Sequence, residues 1–290
     1  MKIRKIKNSN DAIVGIVTAF LITGLIVVVI SVIQTVYLPK WMEQSEAEHM
    51  EVIADQFSQL KFAIDTQSAL QNPDTPISTS ITLGNKEVPF LVSSRAYGSL
   101  DIISDECMVT ITTSDSGTLP PYHAGIIKYS SVNSYFLNQN YVYESGAVII
   151  SQSEGDTMSI KPAFSAKLDE DIHVSFTIVD ISTIGDKRSI SGYGTYPIQT
   201  EYPNSDPTTV VKIDDVTEIA IDTSYANSWH RFIKKTLINS GLEYTTDFLI
   251  QTNADGISIQ FPGKKADLNL QIIEIAAQIS PGWIENVKGI

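Results

Sequence analysis

The stretch A12-I-V-G-I-V-T-A-F-L-I-T-G-L-I-V-V-V-I-S-V-I-Q-T-V36 decides how the rest of the chain is read. It contains no charge, and its polar interruptions are Thr18, Thr23, Ser31, Gln34 and Thr35. As a helix, about 25 residues at 1.5 Å each reach roughly 37 Å, enough to cross a hydrocarbon core of about 30 Å. A secretory h-region is shorter and ends in a small-x-small cleavage site, which Gln34-Thr35-Val36-Tyr37-Leu38-Pro39 is not. The sequence therefore predicts an uncleaved transmembrane helix over residues 12–38, preceded by a basic leader, 1–11. Lys2, Arg4, Lys5 and Lys7 against Asp11 give that leader about +3. Basic flanks stay in the cytoplasm, so the expectation is a single-pass protein in the cell membrane, N-terminus cytoplasmic and C-terminal domain extracellular.

Working outward, Gly15, Ala19 and Thr23 lie at spacing four on one helix face, a small-xxx-small ladder along which a second helix can approach. Tyr37 and Trp41 are placed as interfacial aromatics beside Lys40, and Pro39 is expected to kink or end the helix. Beyond it an amphipathic stem is expected over 39–71. Its stripe is Met50, Ile53, Phe57, Leu60 and Ile64, with Ala54 and Ala63 alongside. Glu43 and Glu46 fall on the same line, so the apolar face is expected to begin only near Met50. Such a stripe needs either its own β domain or neighbouring stems to cover it.

From Ile77 the hydrophobic period switches to two. Strand candidates are Ile77–Ile81, Val88–Val92, Leu100–Ile103, Met108–Thr112, Gly125–Tyr129, Tyr141–Glu144, Ala147–Gln152, Met158–Lys161, His173–Ile181, Ser189–Glu201, Val210–Ile213, Glu218–Ile221, Phe248–Thr252, Gly256–Phe261 and Leu268–Ala277. One helix is expected near 224–240, capped by Ser224, facing inward with Trp229, Phe232, Ile233 and Leu237, and stopped by Gly241. Tyr202–Thr208 is the candidate loop between an earlier and a later half. The fold class is α+β: a long N-terminal transmembrane and stem helix followed by a mainly antiparallel β-sandwich ectodomain, 72–290.

Of the 290 residues 43% are hydrophobic, and the net charge is −13, leaving about −16 outside the leader. That acidity argues against nucleic acid and anionic membrane surfaces as partners. Cys107 is the sole cysteine, which excludes an internal disulfide, and Asp105-Glu106 beside it oppose a reactive thiolate. His49, His123, His173 and His230 share no ligand spacing, and Asn253-Ala254-Asp255-Gly256 reads as a hairpin turn rather than a calcium loop. No catalytic, cofactor-binding or metal-binding residues are assigned. No cofactor is expected, and the chain is expected not to be an enzyme.

Asn10-Asp11-Ala12-Ile13-Val14-Gly15, running into an uninterrupted apolar helix and a charged stem, resembles archaeal type IV pilin-like and archaellin-like surface proteins. Glu46-Ala47-Glu48-His49-Met50 through Asp55-Gln56-Phe57 and Ile81-Thr82-Leu83-Gly84 are similar to an uncharacterised β-rich archaeal subgroup. So is Tyr141-Val142-Tyr143-Glu144-Ser145-Gly146-Ala147-Val148, with its Tyr-x-x-Glu-x-Gly-Ala pattern. The resemblance implies a leader cut by a prepilin-type peptidase near Ser9, Asn10 or Asp11, helices that bundle, and β domains displayed outward. No Gly or Ala precedes the candidate cut. The expected function is a non-enzymatic, membrane-anchored cell-surface protein, a pilin-like or minor pilin-like subunit. Its partners would be membrane lipid and other copies of itself or other pilin-like subunits. The alternative is an anchored adhesin or ligand-binding module that does not polymerise, which a cluster of Tyr122, Tyr193 and Tyr196 would favour. A third class, an extracytoplasmic hydrolase, requires a pocket with converging carboxylates or histidines of shifted pKa.

Overall fold

The computed structural model describes residues 9–73, 75–85, 96–204 and 208–279. Residues 1–8 of the leader, the strand expected at Val88–Val92 and the chain from 280 onward lie outside the described residues.

One helix dominates the N-terminal region: α1 (Ser9–Val32), a π-helical turn (Ile33–Tyr37) and α2 (Leu38–Leu70) follow without a break. The π turn sits immediately before Pro39. Proline has no N–H and crowds the preceding turn, and a wider i→i−5 turn, seen in the Leu38 N–H bond to the Ile33 carbonyl, accommodates it. The helix thus continues through Pro39. It ends at Gln71, whose left-handed conformation (φ 48°) supplies the stop.

The two halves of this helix live in different surroundings. From Ile13 to Val36 the large apolar side chains stand in the open. From Leu38 onward one face is buried: Leu38, Met42, Glu46, Met50, Ile53, Phe57, Leu60 and Ile64, steps of three and four. The stem stripe therefore packs on the chain's own β domain. It also begins earlier than expected, at Leu38, because Glu46 does not interrupt it. The Glu46 carboxylate is fully buried and accepts the backbone N–H groups of Ser134 (3.0 Å), Tyr135 (2.7 Å) and Phe136 (2.7 Å). A charge can enter a core when hydrogen bonds replace its water.

Among the described residues fifteen strands form one hydrogen-bonded network. Its main path runs β1 (Ile77–Thr82), β11 (Thr195–Glu201), β15 (Ala266–Ile279), β12 (Thr208–Asp222), β2 (Tyr97–Thr113), β4 (Tyr122–Val132), β5 (Asn140–Glu144), β6 (Ala147–Gln152), β7 (Gly155–Ile160). The pairs are antiparallel apart from β9 (Ile172–Thr183), which runs parallel to β15 along twelve residues. That ladder also settles Leu268–Ala277 as strand. β8 (Phe164–Leu168), paired with β9, was not expected from the sequence. β12 joins both β15 and β2, so Tyr202–Thr208, of which 205–207 lie outside the described residues, does not divide the sheet.

Successive strand residues face opposite sides, and this sheet buries both. On β9, Ile172, Val174, Phe176 and Ile178 enter one core, and Val179 and Ile181 the other. On β15, Ala266, Leu268 and Leu270 enter the first, and Ile273, Ile275, Ala277 and Ile279 the second. The second core lies under α2. The first is covered by α3 (Ala226–Asn239), whose Trp229, Phe232, Ile233 and Leu237 point inward as expected. Its cap differs from expectation. Tyr225, not Ser224, holds the N-cap position, and the Asp156 carboxylate takes the Ser228 N–H at 2.6 Å. Gly241 (φ 90°) does end the helix, where the Leu242 N–H reaches back to the Leu237 carbonyl and the Gly241 N–H to that of Ile238.

Candidate functional site

The N-terminal half of the helix is the most distinctive surface of the molecule. Its mean hydropathy reaches 3.0 with none of the window buried, so it is long and apolar enough to cross a membrane. Its threonine hydroxyls are internally satisfied: Thr18 donates to the Val14 carbonyl, Thr23 to Ala19 and Thr35 to Ser31, at 2.8–2.9 Å. Such back-bonding removes the donors that would otherwise be costly in lipid. The Gly15, Ala19 and Thr23 face is unobstructed, with no atom within 4 Å of where a Gly15 Cβ would stand. Ser9, Asn10 and Asp11 belong to the first turns of α1. The stem residues Met50, Ile53, Phe57, Leu60 and Ile64 are gathered into the second core and are structural.

A buried polar knot sits at the end of β5. Glu144, with no exposed surface, accepts from Trp229 Nε1 (2.6 Å) and the Thr223 hydroxyl (2.7 Å), tying α3 to the sheet. Both bonds go to Oε1; Oε2 is buried without a partner. Burial raises this carboxyl to about pH 7, against the lowering effect of its two donors. Cys107 lies in the same knot, its sulfur 3.6 Å from the Ser145 hydroxyl, and burial first and the Glu144 charge second push its thiol well up. A perturbed carboxyl with no accessible surface holds structure and meets no substrate. Sequence reasoning quoted Glu144 only as part of a pattern. The signal that could have singled it out is a carboxylate inside the apolar alternation Tyr141-Val142-Tyr143 and Ala147-Val148-Ile149.

Two open grooves meet at Lys161, near the C-terminal end of α2. One, of about 590 Å³, runs between the Lys61–Asp65 ion pair, the Gly146 turn, Lys161 and Gln271. The other, of about 280 Å³, lies between β7 and α3 and is lined by Lys161, Arg231 and Lys235 with Ser228, Thr236 and Asn239 over Met158 and Phe232. No carboxylate lines the smaller groove, and the Ser228 hydroxyl is buried there without a hydrogen-bond partner. Its three cations stand out on a chain of net charge −13, although Arg231 also donates to the Asp156 carbonyl, and the Asp156 carboxylate holds the neighbouring Ser228 N–H.

The histidines do not converge. His49 is buried against the Tyr129 hydroxyl (3.2 Å), and burial lowers its pKa. His173 faces Asp267 at 3.6 Å, and His230 meets the Thr252 hydroxyl. Among the described residues no group of three His, Cys, Asp or Glu side chains could hold a metal ion. Asp169 pairs with Lys167, and Asn253–Gly256 is a hairpin turn, the Asn253 N–H bonding the Gly256 carbonyl. Tyr122, Tyr193 and Tyr196 do not form one patch: Tyr122 packs on the first core, Tyr196 on the second, and Tyr193 is exposed.

The model of a family of unknown function, DUF7289, matches residues 12–278. This chain belongs to that family. The DUF7289 match opens on the first residue of the apolar run and closes within β15, so anchor, stem and β domain together make up the family's unit. No curated protein and no solved structure matches the chain.

Proposed function

We propose that this chain is a non-enzymatic, single-pass membrane protein of the cell surface and a pilin-like subunit, with a cytoplasmic N-terminus and a sandwich-like β body held outside. The observation that carries this reading is the division of one continuous helix. Its first half offers uncharged and mainly apolar side chains to its surroundings on every face; its second half is fixed to the β domain by a buried stripe. A bare helix of that length has two apolar destinations, lipid or the helices of other copies, and the open Gly15/Ala19/Thr23 face suits close approach by the second. The basic leader supports the orientation. N-terminal sequencing of the mature protein, isolated from the cells that make it, tests the pilin-like part. A start between Ser9 and Ala12 is expected. An intact Met1 overturns the processing and leaves a plain anchored protein.

A second reading, an anchored ligand-binding module that does not polymerise, is favoured by one observation: the carboxylate-free groove of Lys161, Arg231 and Lys235. That groove shares Lys161 with the larger groove beside the C-terminal part of the stem, which ends about 48 Å along the helix from Leu38, where an anchored protein would meet an anionic ligand. Absence of filaments on producing cells, with an anionic glycan retained by the protein, would replace the pilin-like reading with this one.

A further inference from the structure

Seven large hydrophobic side chains of the described β domain, outside the long helix, are exposed: Tyr97, Val132, Tyr135, Leu137, Tyr193, Val210 and Ile238. The first five gather at one place, the base of the stem. Tyr97 and Val132 are cross-strand partners on β2 and β4. Tyr193 stands against Tyr97, ring centroids 6.2 Å apart. Tyr135 and Leu137 belong to the connection from β4 to β5, whose N–H groups are held by Glu46. The Asn85 side chain meets Ser45 at 3.5 Å, and the backbone of Tyr193 packs against Gly84. All five therefore lie near residues 45–46 of the helix.

Further toward the bare run on the same helix stands the aromatic pair Tyr37 and Trp41, half-exposed and 6.2 Å apart, just where the apolar run ends. From Trp41 to Glu46 is five residues, about 7 Å of helix, and the headgroup layer adds roughly 5–7 Å beyond the hydrocarbon on each side. Leu38 and Met42, beside the pair on the helix, are buried. The loop that carries Leu137 is pinned. Asn133 donates to the Leu137 carbonyl (2.8 Å), and Asn138 accepts the Asn133 N–H (2.7 Å). An exposed leucine on a rigid loop beside tyrosines is the composition of a membrane-interface contact.

We infer that the β domain rests on the bilayer: Tyr97, Val132, Tyr135, Leu137 and Tyr193 join Tyr37 and Trp41 in an apolar collar seated at the boundary between headgroups and acyl chains. This deepens the anchored reading and rests on its claim that the bare helix lies in lipid. The described residues of the collar supply aromatic and aliphatic surface, so the contact is to the interface of a zwitterionic bilayer and persists at high salt. The protein accordingly stands upright on its membrane and does not swing about a tether.

Spin labels on the full-length protein, one copy per phosphatidylcholine nanodisc, test this. Cys107 has no exposed surface and stays unlabelled, so single cysteines can be added by Val27→Cys in the anchor, Leu137→Cys in the collar and Asn239→Cys at the far end. Collisional access to a water-soluble nickel chelate is read at each. The Leu137→Cys label is expected to be several-fold less accessible than that at Asn239→Cys, at low and at high salt. If it is as accessible as the Asn239→Cys label while the Val27→Cys label is protected, the collar is overturned and the anchor stands. If the Val27→Cys label is also accessible, the anchor reading falls with it. If Leu137→Cys is protected only in discs holding two copies, the occupant is a second copy and the lipid contact is overturned.

Discussion

Two carboxylates inside the cores explain most of what the residue scale adds. Glu46 has no exposed surface because three amide donors replace its water, and those donors lie about ninety residues away in sequence. Nothing within the stem's own sequence signals them, so although periodicity puts Glu46 on the stripe's line, its charge makes the apolar face read as beginning only near Met50. Glu144 differs: its Oε2 has no donor, and its carboxyl is raised from an ordinary 4.5 to about 7. The folded protein therefore holds a proton there that the unfolded chain has released between those values. Stability falls as pH rises through that window and reaches its floor above it, by about 3 kcal/mol for a shift of this size. Glu144→Gln keeps an acceptor for Trp229 and Thr223 but removes the charge. Urea unfolding at pH 5 and pH 8 should show the variant equal to or below wild type at pH 5 and above it at pH 8. An unchanged pH dependence in the variant would remove Glu144 as its source.

At the scale of elements, the helix, the switch to period two and α3 were legible because each writes its own hydrophobic period. What was illegible was continuity. Leu100–Ile103 and Met108–Thr112 are one strand, β2, interrupted by a bulge at which Asp105 takes φ 56°. Val210–Ile213 and Glu218–Ile221 are likewise one strand, β12, bulged at Asp215 (φ 55°). Ser189–Glu201 errs the other way: Gly192 (φ 148°) and Gly194 turn the chain, so β10 (Ser189–Gly192) pairs with β2 and β11 with β1 and β15. Gly98 was also silent in sequence, yet a Cβ there would stand 2.6 Å from the Tyr129 ring and from the Leu83 carbonyl, which accepts the Tyr129 hydroxyl. The join between stem and sheet rests on Glu46. Glu46→Ala removes three charge-assisted, part-buried hydrogen bonds and should cost about 3 kcal/mol of unfolding free energy. Hydrogen exchange should rise first in 133–137. Loss of stability without faster exchange in that loop would mean that Glu46 does not fix it.

At the scale of the whole molecule the structure is a rod half bare and half clothed. The clothed half is self-sufficient: the stem stripe is buried by the chain's own sheet, so the stem needs no neighbouring subunit to cover it. The bare half is not, and its large apolar side chains from Ile13 to Val36 must be covered by something other than water. Exposed apolar side chains gather near the stem's base, and a groove lined by Lys161, Arg231 and Lys235 lies between β7 and α3. The sequence made the bare helix plain but left open whether the stem's stripe is covered by its own β domain or by neighbouring stems, since an apolar stripe does not name the surface packed against it. Alkaline carbonate extraction of membranes from cells making the full chain tests the central claim most directly. The account predicts that the protein stays with the bilayer fraction, and its release into the supernatant would contradict it.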